Sequence, residues 1–222
     1  MYKKIILFIP HSSDNINNSK WDNDELFQQE LNTWTDWHTN TIFSANIPNV
    51  KSIVVPFSRY FSDCERLIND PLESTGNGIY YTHGHNGVNR IISDIEKTNA
   101  LNVYNEYNNL LINESKGNSL VIDCHSFPSI LNNDIDVCIG FNDDETKPSQ
   151  YVLGLIYHTF KQFGYNVQFN LPYSNAKCGA VGSHSVMIEL NKKIYMNENT
   201  LKLDVSAYKI TDALIDLYRK LL

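Results

Sequence analysis

The sequence has few cysteines and no paired-cysteine motif. Its four cysteines, Cys64, Cys124, Cys138 and Cys178, are widely spaced, and none forms a Cys-x-x-Cys pair. This spacing favours reduced thiols in a cytoplasmic protein over a disulfide framework.

Basic residues and long apolar runs are also scarce. There are 18 Lys and Arg against 25 Asp and Glu, which gives a net charge of -7. An acidic chain argues against a nucleic-acid or anionic-membrane partner, because both favour a basic face. The first apolar run is interrupted at Pro10-His11, well short of the ~18 residues of a membrane span. No small-residue cleavage site follows it, so we predict neither a membrane helix nor a signal peptide.

The chain shows no repeat, low-complexity segment or linker. With 222 residues and 42% hydrophobic content, we expect a single domain over residues 1–222 that buries a substantial core, and two small domains are the alternative. Neither a Gly-x-Gly-x-x-Gly loop nor a Walker-type loop occurs, so no nucleotide cofactor is indicated.

Strand-like and helix-like segments alternate along the chain. This alternation predicts an α/β sandwich with a largely parallel sheet. Strands are predicted at residues 4–9, 53–55, 119–123, 135–140, 165–169 and 185–190, and helices at 22–43, 93–114, 149–163 and 200–222. The segment 61–91 is rich in loop signals, and a loop region of that length is usually functional.

Two of the predicted strands run into the dipeptide His-Ser. Residues 4–9 lead to His11-Ser12, and residues 119–123 lead to His125-Ser126. If the strands are neighbours, the two histidines lie side by side, as half of the His/His/carboxylate set that zinc hydrolases use. The alternative is that each histidine only satisfies backbone groups at the end of its strand.

Acidic residues near these histidines are candidates for the rest of the site. Asp123 lies two residues before His125, so on a strand it points the same way and could orient the imidazole. Asp14 and Asp36 are candidates for the third ligand. Asp36 falls on the polar side of the predicted helix, so helical periodicity alone favours a solvated carboxylate.

Three further groups of residues are considered as candidates for catalysis, substrate binding or metal binding. Glu189 lies inside an apolar strand, and a buried acid is a candidate general base, although an exposed edge-strand position is the alternative. Arg59 and Arg66 could grip a carboxylate bidentately, and surface salt bridges are the alternative. His83 and His85 lie in a Gly-rich loop. We favour the interpretation that they are incidental there, and a separate metal site is the alternative.

Eight segments, in order along the chain, resemble the N-formylglutamate amidohydrolase family. They span residues 5–198 and comprise Ile9-Pro10-His11-Ser12-Ser13, Thr35-Asp36-Trp37-His38-Thr39, Ser58-Arg59 with Asp63-Cys64-Glu65-Arg66 and Asn69-Asp70, Gly78-Ile79-Tyr80-Tyr81-Thr82, Ile122-Asp123-Cys124-His125-Ser126, Asp136-Val137-Cys138-Ile139-Gly140, Asn170-Leu171-Pro172-Tyr173, and Met187 to Met196.

The resemblance implies the fold of zinc carboxypeptidases, a three-layer α/β/α sandwich around a mixed sheet. It also implies that His11 and His125 are zinc ligands, and it favours Asp36 over Asp14 as the third. Glu189 takes the place of the catalytic glutamate.

The resemblance further implies that Arg59 and Arg66 bind substrate carboxylates, that Arg59 or a nearby arginine helps zinc to stabilise the oxyanion, and that Ser126 contacts substrate. The sequence departs from the family at the Thr-His-Gly-His loop, where relatives have a Thr-Arg-Thr-like segment. That departure bears on the identity of the substrate.

The leading hypothesis is a cytoplasmic, zinc-dependent amidohydrolase that cleaves a short N-acyl group from an acidic amino acid such as glutamate. The expected partner is a small-molecule N-acyl amino acid or a short peptide, and the expected state is a monomer or small homo-oligomer. Two alternatives are a zinc peptidase or amidase acting on a peptide end, and a non-catalytic binding module that keeps the fold.

Overall fold

A computed structural model describes residues 1–177 and 183–222 of the chain. Cys178, predicted to be a reduced thiol, lies outside the described residues. The strands are β1 (Lys4–Ile9), β2 (Lys20–Trp21), β3 (Val50–Val54), β4 (Arg90–Ile91), β5 (Ser119–Phe127), β6 (Val137–Gly140), β7 (Val167–Phe169), β8 (His184–Asn191), β9 (Met196–Asn197) and β10 (Lys202–Leu203). The α-helices are α1 (Asp24–Trp34), α2 (Thr39–Phe43), α3 (Asp94–Glu114), α4 (Gln150–Gln162) and α5 (Ala207–Leu221), with short 3-10 helices at Pro71–Thr75 and Lys192–Ile194.

The chain divides into two compact units. One comprises Met1–Ile9, His38–Ile53 and Leu111–Leu222, and we call it the sheet unit. The other comprises Pro10–Trp37 and Val54–Leu110, and we call it the loop unit. A single catalytic domain over residues 1–222 stays a prediction.

A six-stranded sheet with the order β3-β1-β5-β8-β6-β7 forms the centre of the sheet unit. The pairs β1–β5, β5–β8 and β6–β7 are parallel, whereas β6 and β8 are antiparallel. The predicted α/β class with a mixed, mostly parallel sheet is therefore confirmed. The apolar strands β1 and β5 lie inside the sheet and are buried almost throughout, as expected for strands covered on both faces.

Strand β5 is longer than predicted. The prediction ended it at Asp123, but it continues to Phe127 because β8 keeps pairing with it up to Asn191. Polar side chains within the last residues obscured this continuation in the sequence pattern. His125 therefore lies within a central strand rather than in a loop after it.

The predicted helix over 22–43 is wrong in its middle. Helix α1 ends at Trp34, and α2 begins only at Thr39. Thr35 is extended, and His38 has a φ of 66°, in the left-handed region, which is incompatible with a continuous α-helix. The sequence pattern shows no sign of this break, because the apolar residues of α1 and α2 continue one helical spacing through it.

The other helices follow their sequence signals more closely. Ser93 and Glu96 form the predicted capping box before α3, with the Glu96 N–H donating to Ser93 Oγ (3.3 Å) and the Ser93 N–H to Glu96 Oε2 (3.0 Å). Helix α5 starts seven residues later than the predicted Thr200, because Met196 and Leu203 pair in the short β9–β10 hairpin. Among the described residues, no helix has the length and apolar character of a membrane span.

The loop unit has an aromatic core of its own. Trp21 stacks on Phe27 with ring centroids 4.2 Å apart, and Tyr60 contacts both rings edge-on. Tyr81 contacts Tyr60 in the same way. Aromatic side chains bury ~150–250 Å² each, so this cluster can hold a segment with little regular secondary structure in place.

Candidate functional site

In the loop unit, His11 is buried and surrounded by carboxylates. It lies two residues beyond the end of β1. Its Nε2 lies 2.8 Å from Asp63 Oδ1 and donates to this carboxylate. Nδ1 faces Asp36 Oδ2 at 3.8 Å and Glu65 Oε2 at 3.7 Å. A histidine whose Nε2 donates to a carboxylate presents Nδ1 as the atom that could bind a metal ion.

Asp63 is the centre of this network. Its carboxylate also accepts from the Glu65 N–H (3.0 Å) and from the Tyr81 hydroxyl (3.1 Å), and Arg66 Nε lies 3.3 Å from Oδ2. Burial alone raises the pKa of Asp63, but the neighbouring His11 and Arg66 hold that pKa well below its usual range. Asp63 is therefore an ionised carboxylate in the protein interior.

Asp36 lies in the break between α1 and α2. Its side chain is buried, and its backbone N–H donates to the His11 carbonyl at 3.0 Å. The helical periodicity that favoured a solvated Asp36 is therefore wrong, because there is no helix at this position. The structure brings Asp36 to His11, whereas Asp14 is exposed to solvent.

Both candidate arginines are anchored by acidic or phenolic groups. Arg59 Nη2 donates to Asp36 Oδ1 at 3.1 Å, and Arg66 Nη2 donates to the Tyr81 hydroxyl at 2.8 Å. Burial lowers the pKa of Arg59, but Asp36, Tyr81 and Asp63 outweigh it and raise the pKa. These are interior contacts rather than surface salt bridges, so the surface alternative for the two arginines is wrong.

The charges of the loop-unit network do not cancel. The carboxylates of Asp36, Asp63 and Glu65 face the guanidinium groups of Arg59 and Arg66. Three carboxylates against two guanidinium groups leave an excess of one acidic group in this network. A cation fits this environment better than an anion does.

In the sheet unit, His125 has the same kind of support. His125 Nε2 donates to Asp123 Oδ1 at 3.0 Å, and Asp123 Oδ2 accepts from the backbone N–H of Lys177 at 2.9 Å. The predicted orientation of the imidazole by Asp123 is confirmed. Because Nε2 is committed to Asp123, Nδ1 is the nitrogen that a metal ion would use.

Glu189 lies on β8 directly beside His125. The two residues are register partners on parallel neighbours, so their side chains project from the same face of the sheet. Cys138 is the partner of Glu189 on the other side. Because β8 is flanked by β5 and β6 and Glu189 is only 7% exposed, the edge-strand alternative is wrong.

Two neighbours of His125 project from the opposite face. Cys124 and Ser126 alternate with His125 along the strand, and both are buried. Burial raises the pKa of the Cys124 thiol well above its ordinary value, so it is a poor nucleophile. The predicted contact of Ser126 with substrate gains no support from strand geometry.

The Thr-His-Gly-His loop contains two histidines with separate partners. His85 Nδ1 lies 2.7 Å from Glu30 Oε1, and His83 Nδ1 lies 2.8 Å from Thr82 Oγ1. Glu30 is a buried acid on α1 that sequence reasoning missed.

Sequence reasoning also gave no role to Asp63, Glu65 or Tyr81. All three belong to segments that carry the family resemblance, but they lie between β3 and α3, where no periodicity shows which side chains turn inward. The spacing Asp-x-Glu-Arg soon after Ser-Arg was the one available signal.

The chain is similar to known proteins in sequence and in fold. The sequence profile of the N-formylglutamate amidohydrolase family matches residues 3–196. N-formylglutamate amidohydrolase from Ralstonia eutropha JMP134 has a similar solved structure, with a TM-score of 0.82 and 17% sequence identity over 98% of this chain and 92% of that one. The gene product Atu2144 from Agrobacterium tumefaciens is similar with a TM-score of 0.70 and 14% identity, over 100% of this chain and 92% of that one. No curated protein matches the sequence significantly.

Proposed function

The chain belongs to the N-formylglutamate amidohydrolase family, and on that premise we propose that it is a metal-dependent amidohydrolase acting on short N-acyl acidic amino acids. Family membership supports an amidohydrolase that acts on a small molecule. Zinc as the metal and N-formyl-L-glutamate as the substrate are the finer parts of the proposal.

The observation that carries the metal is the matched support of two histidines. His11 and His125 each use Nε2 to donate to a buried carboxylate, Asp63 and Asp123 respectively. Metal-ligating histidines almost always donate their second ring nitrogen in this way. Each of these contacts supports its histidine as a zinc ligand that would bind through Nδ1, as the sequence predicts.

The proposed third ligand is a carboxylate beside His11. Asp36 is the residue predicted from the sequence, and Glu65 lies at a similar distance from Nδ1. Two histidines and one carboxylate match the donor set of zinc hydrolases, which keep a further position open. A zinc ion there would polarise the amide carbonyl and lower the pKa of a water molecule.

Glu189 is the proposed general base and acid. It takes the proton from the attacking water and delivers it to the nitrogen of the leaving amino acid. Its position beside His125 and its burial support this role, because a carboxylate away from bulk solvent holds its proton-transfer geometry.

Arg59 and Arg66 are the proposed carboxylate-binding groups. Arg59 Nη2 donates to Asp36, and the other N–H groups of the guanidinium can bind a substrate carboxylate or the developing oxyanion. Ser126 remains a predicted substrate contact. Glutamate offers two carboxylates, which suits two arginines better than a neutral amino acid does.

We further propose a cytoplasmic protein that is a monomer or small homo-oligomer and has no nucleic-acid or membrane partner. Cys124 and Cys138 are free thiols, which supports a reducing compartment.

The test is formate release from N-formyl-L-glutamate before and after treatment with a chelator. We expect activity to disappear with the metal and to return when Zn²⁺ is added. In Glu189→Gln the rate should fall by about 10²–10⁴-fold, with metal content unchanged. Glu145→Gln, at an exposed position of the sheet unit, is the matched control and should behave as wild type.

Three results would contradict the proposal. Activity that survives complete metal removal excludes the metal mechanism, and wild-type activity in Glu189→Gln excludes this base. Turnover of N-acyl peptides without turnover of formylglutamate indicates a peptidase instead.

A further inference from the structure

We infer that the ring of Tyr173 limits the length of the acyl group that the site accepts, so that formyl is preferred over longer groups. The inference rests on the proposed function, because it concerns the substrate of the same site. Tyr173 ends the segment Asn170-Leu171-Pro172-Tyr173, which shares the family resemblance but has no role in the mechanism proposed above.

Six residues of the sheet unit share the face that carries the proposed metal ligand and the proposed base. Residues two apart in a strand project from one face, and so do residues paired across neighbouring strands. The face therefore presents His125 and Phe127 from β5, Met187 and Glu189 from β8, and Cys138 and Gly140 from β6.

A segment over Asn170–Lys177, which we call the strap, crosses this face. At its start the Asn170 N–H donates to the Ile139 carbonyl at 3.0 Å, and at its end the Lys177 N–H donates to Asp123 Oδ2 at 2.9 Å. The first contact is to β6 and the second to β5, and β8 lies between these two strands. The strap therefore passes over the strand that carries the proposed base.

The middle of the strap is held close to the sheet. A Cβ atom at Gly140 would overlap the carbonyl of Asn175, so only glycine permits the strap to approach β6 this closely. Asn142 binds the backbone of Ala176 twice, with Nδ2 donating to the carbonyl at 3.0 Å and Oδ1 accepting from the N–H at 3.1 Å. These contacts fix the position of the strap, so its side chains cannot move aside without breaking hydrogen bonds.

Tyr173 is the strap residue that lies beside both functional groups. The Cys138 thiol donates to the Tyr173 carbonyl at 3.2 Å, and Cys138 is the cross-strand partner of Glu189. The Tyr173 ring meets the Phe127 ring edge-on, with centroids 6.4 Å apart, and Phe127 lies two residues beyond His125. Because Tyr173 is 37% exposed, its ring borders solvent as well as the sheet, as the wall of an accessible site does.

The ring bears on the acyl group because the chemistry dictates where the scissile carbonyl lies. Its carbon must be within reach of water activated by Glu189 and of a metal ion on His125. The substituent of that carbon therefore occupies the space beside these two residues. In a formyl group this substituent is a hydrogen atom, whereas every longer acyl group adds carbon atoms that approach the fixed ring of Tyr173.

The test compares N-formyl-, N-acetyl- and N-butyryl-L-glutamate as substrates, with glutamate release as the common readout. In wild type we expect kcat/KM to fall by at least about 10-fold from formyl to acetyl, since one carbon in a pocket changes it by ~10–200-fold. In Tyr173→Ala the ratio of kcat/KM for butyryl over formyl should rise by at least about 10-fold. Tyr173→Phe keeps the ring and should retain the wild-type ratio.

Tyr151→Ala is the matched control, because Tyr151 is a 69% exposed tyrosine on α4 of the same unit, and it should also retain the wild-type ratio. Thermal unfolding and zinc content show whether each variant is folded and loaded. If Tyr173→Ala does not fold, Tyr173→Leu replaces it, because it removes the ring but keeps an apolar side chain; its ratio should lie between those of wild type and Tyr173→Phe on one side and a fully opened site on the other.

Three results would overturn the inference and leave the proposed function standing. These are a wild-type ratio in the folded variant that lacks the ring, a ratio in Tyr173→Phe that rises as much as in Tyr173→Ala, and equal hydrolysis of butyryl- and formylglutamate by wild type. Wild-type protein that hydrolyses none of the three substrates overturns the proposed function, and this inference with it.

Discussion

Replacing Asp63 by Asn should destabilise the protein strongly, because it removes the buried charge at the centre of the loop-unit network. The Asp63 carboxylate accepts from His11, the Glu65 backbone and Tyr81, and it pairs with Arg66. Asn keeps the shape but offers one acceptor and one donor group, so at least one of these donors is left facing another donor. Breaking a buried charged interaction from one side costs ~3–5 kcal/mol.

This cost can be converted into a melting temperature. For a domain of this size, 1 kcal/mol corresponds to ~2–4 °C, so Tm should fall by about 6–20 °C. The assay is thermal unfolding of the metal-free protein at pH 7, followed by circular dichroism. Asp143→Asn, whose side chain is 94% exposed and pairs with Lys147, should change Tm by less than about 2 °C.

The difference in stability between wild type and Asp63→Asn should depend on pH. The pKa of Asp63 is depressed in the folded protein, so its contribution is fully present above its unfolded pKa of about 4 and is lost as the pH falls through the folded pKa. The difference in stability between wild type and Asp63→Asn should therefore stay constant from pH 7 to about 5 and shrink below about 4. A Tm within about 2 °C of wild type at pH 7 would refute the claim that this network supports the site.

Three further predictions concern other parts of the chain. Glu30→Gln should lower Tm at pH 7, because hydrogen bonds from His85 and Tyr60 outweigh burial and lower the pKa of Glu30. The difference in Tm between this variant and wild type should shrink below about pH 4. A difference in Tm that stays constant on acid titration would contradict this. Cys124 should resist iodoacetamide in the native protein at pH 8, because burial keeps its thiol protonated; mass spectrometry that finds rapid labelling of the folded chain would exclude this. Arg59→Lys should lower kcat/KM for formylglutamate by at least about 10-fold, since lysine cannot form a bidentate contact; steady-state kinetics equal to wild type would remove Arg59 from the site.

The sheet and its two histidines could be read from the sequence because each depends on a local signal. An apolar run followed by a polar side chain shows where a buried strand leads, and β1 and β5 both have this form. Asp123 followed from strand alternation, which places residues two apart on the same face of a strand. Glu189 followed from the cost of burying an acid inside an apolar strand.

The loop-unit network could not be read in the same way. Asp36 was placed on a helix because apolar residues on both sides of the break keep a common phase, and no residue type marks the left-handed turn at His38. Asp63 and Glu65 lie in a segment held by aromatic packing rather than by secondary structure. Asp63 turns inward to contact Tyr81 and His11, which are distant from it in sequence, so its orientation follows from tertiary contacts.

The central claim is that two histidines, each supported by a buried carboxylate, hold a metal ion that amide hydrolysis requires. The most direct measurement is the rate of formate release from N-formyl-L-glutamate by fully metal-free protein titrated with Zn²⁺, with bound zinc measured in the same samples. We predict no activity in the metal-free protein and a linear rise that ends at one zinc ion per chain. Full activity without metal, or zinc bound at this stoichiometry with no hydrolysis of any N-acyl amino acid, would contradict the account.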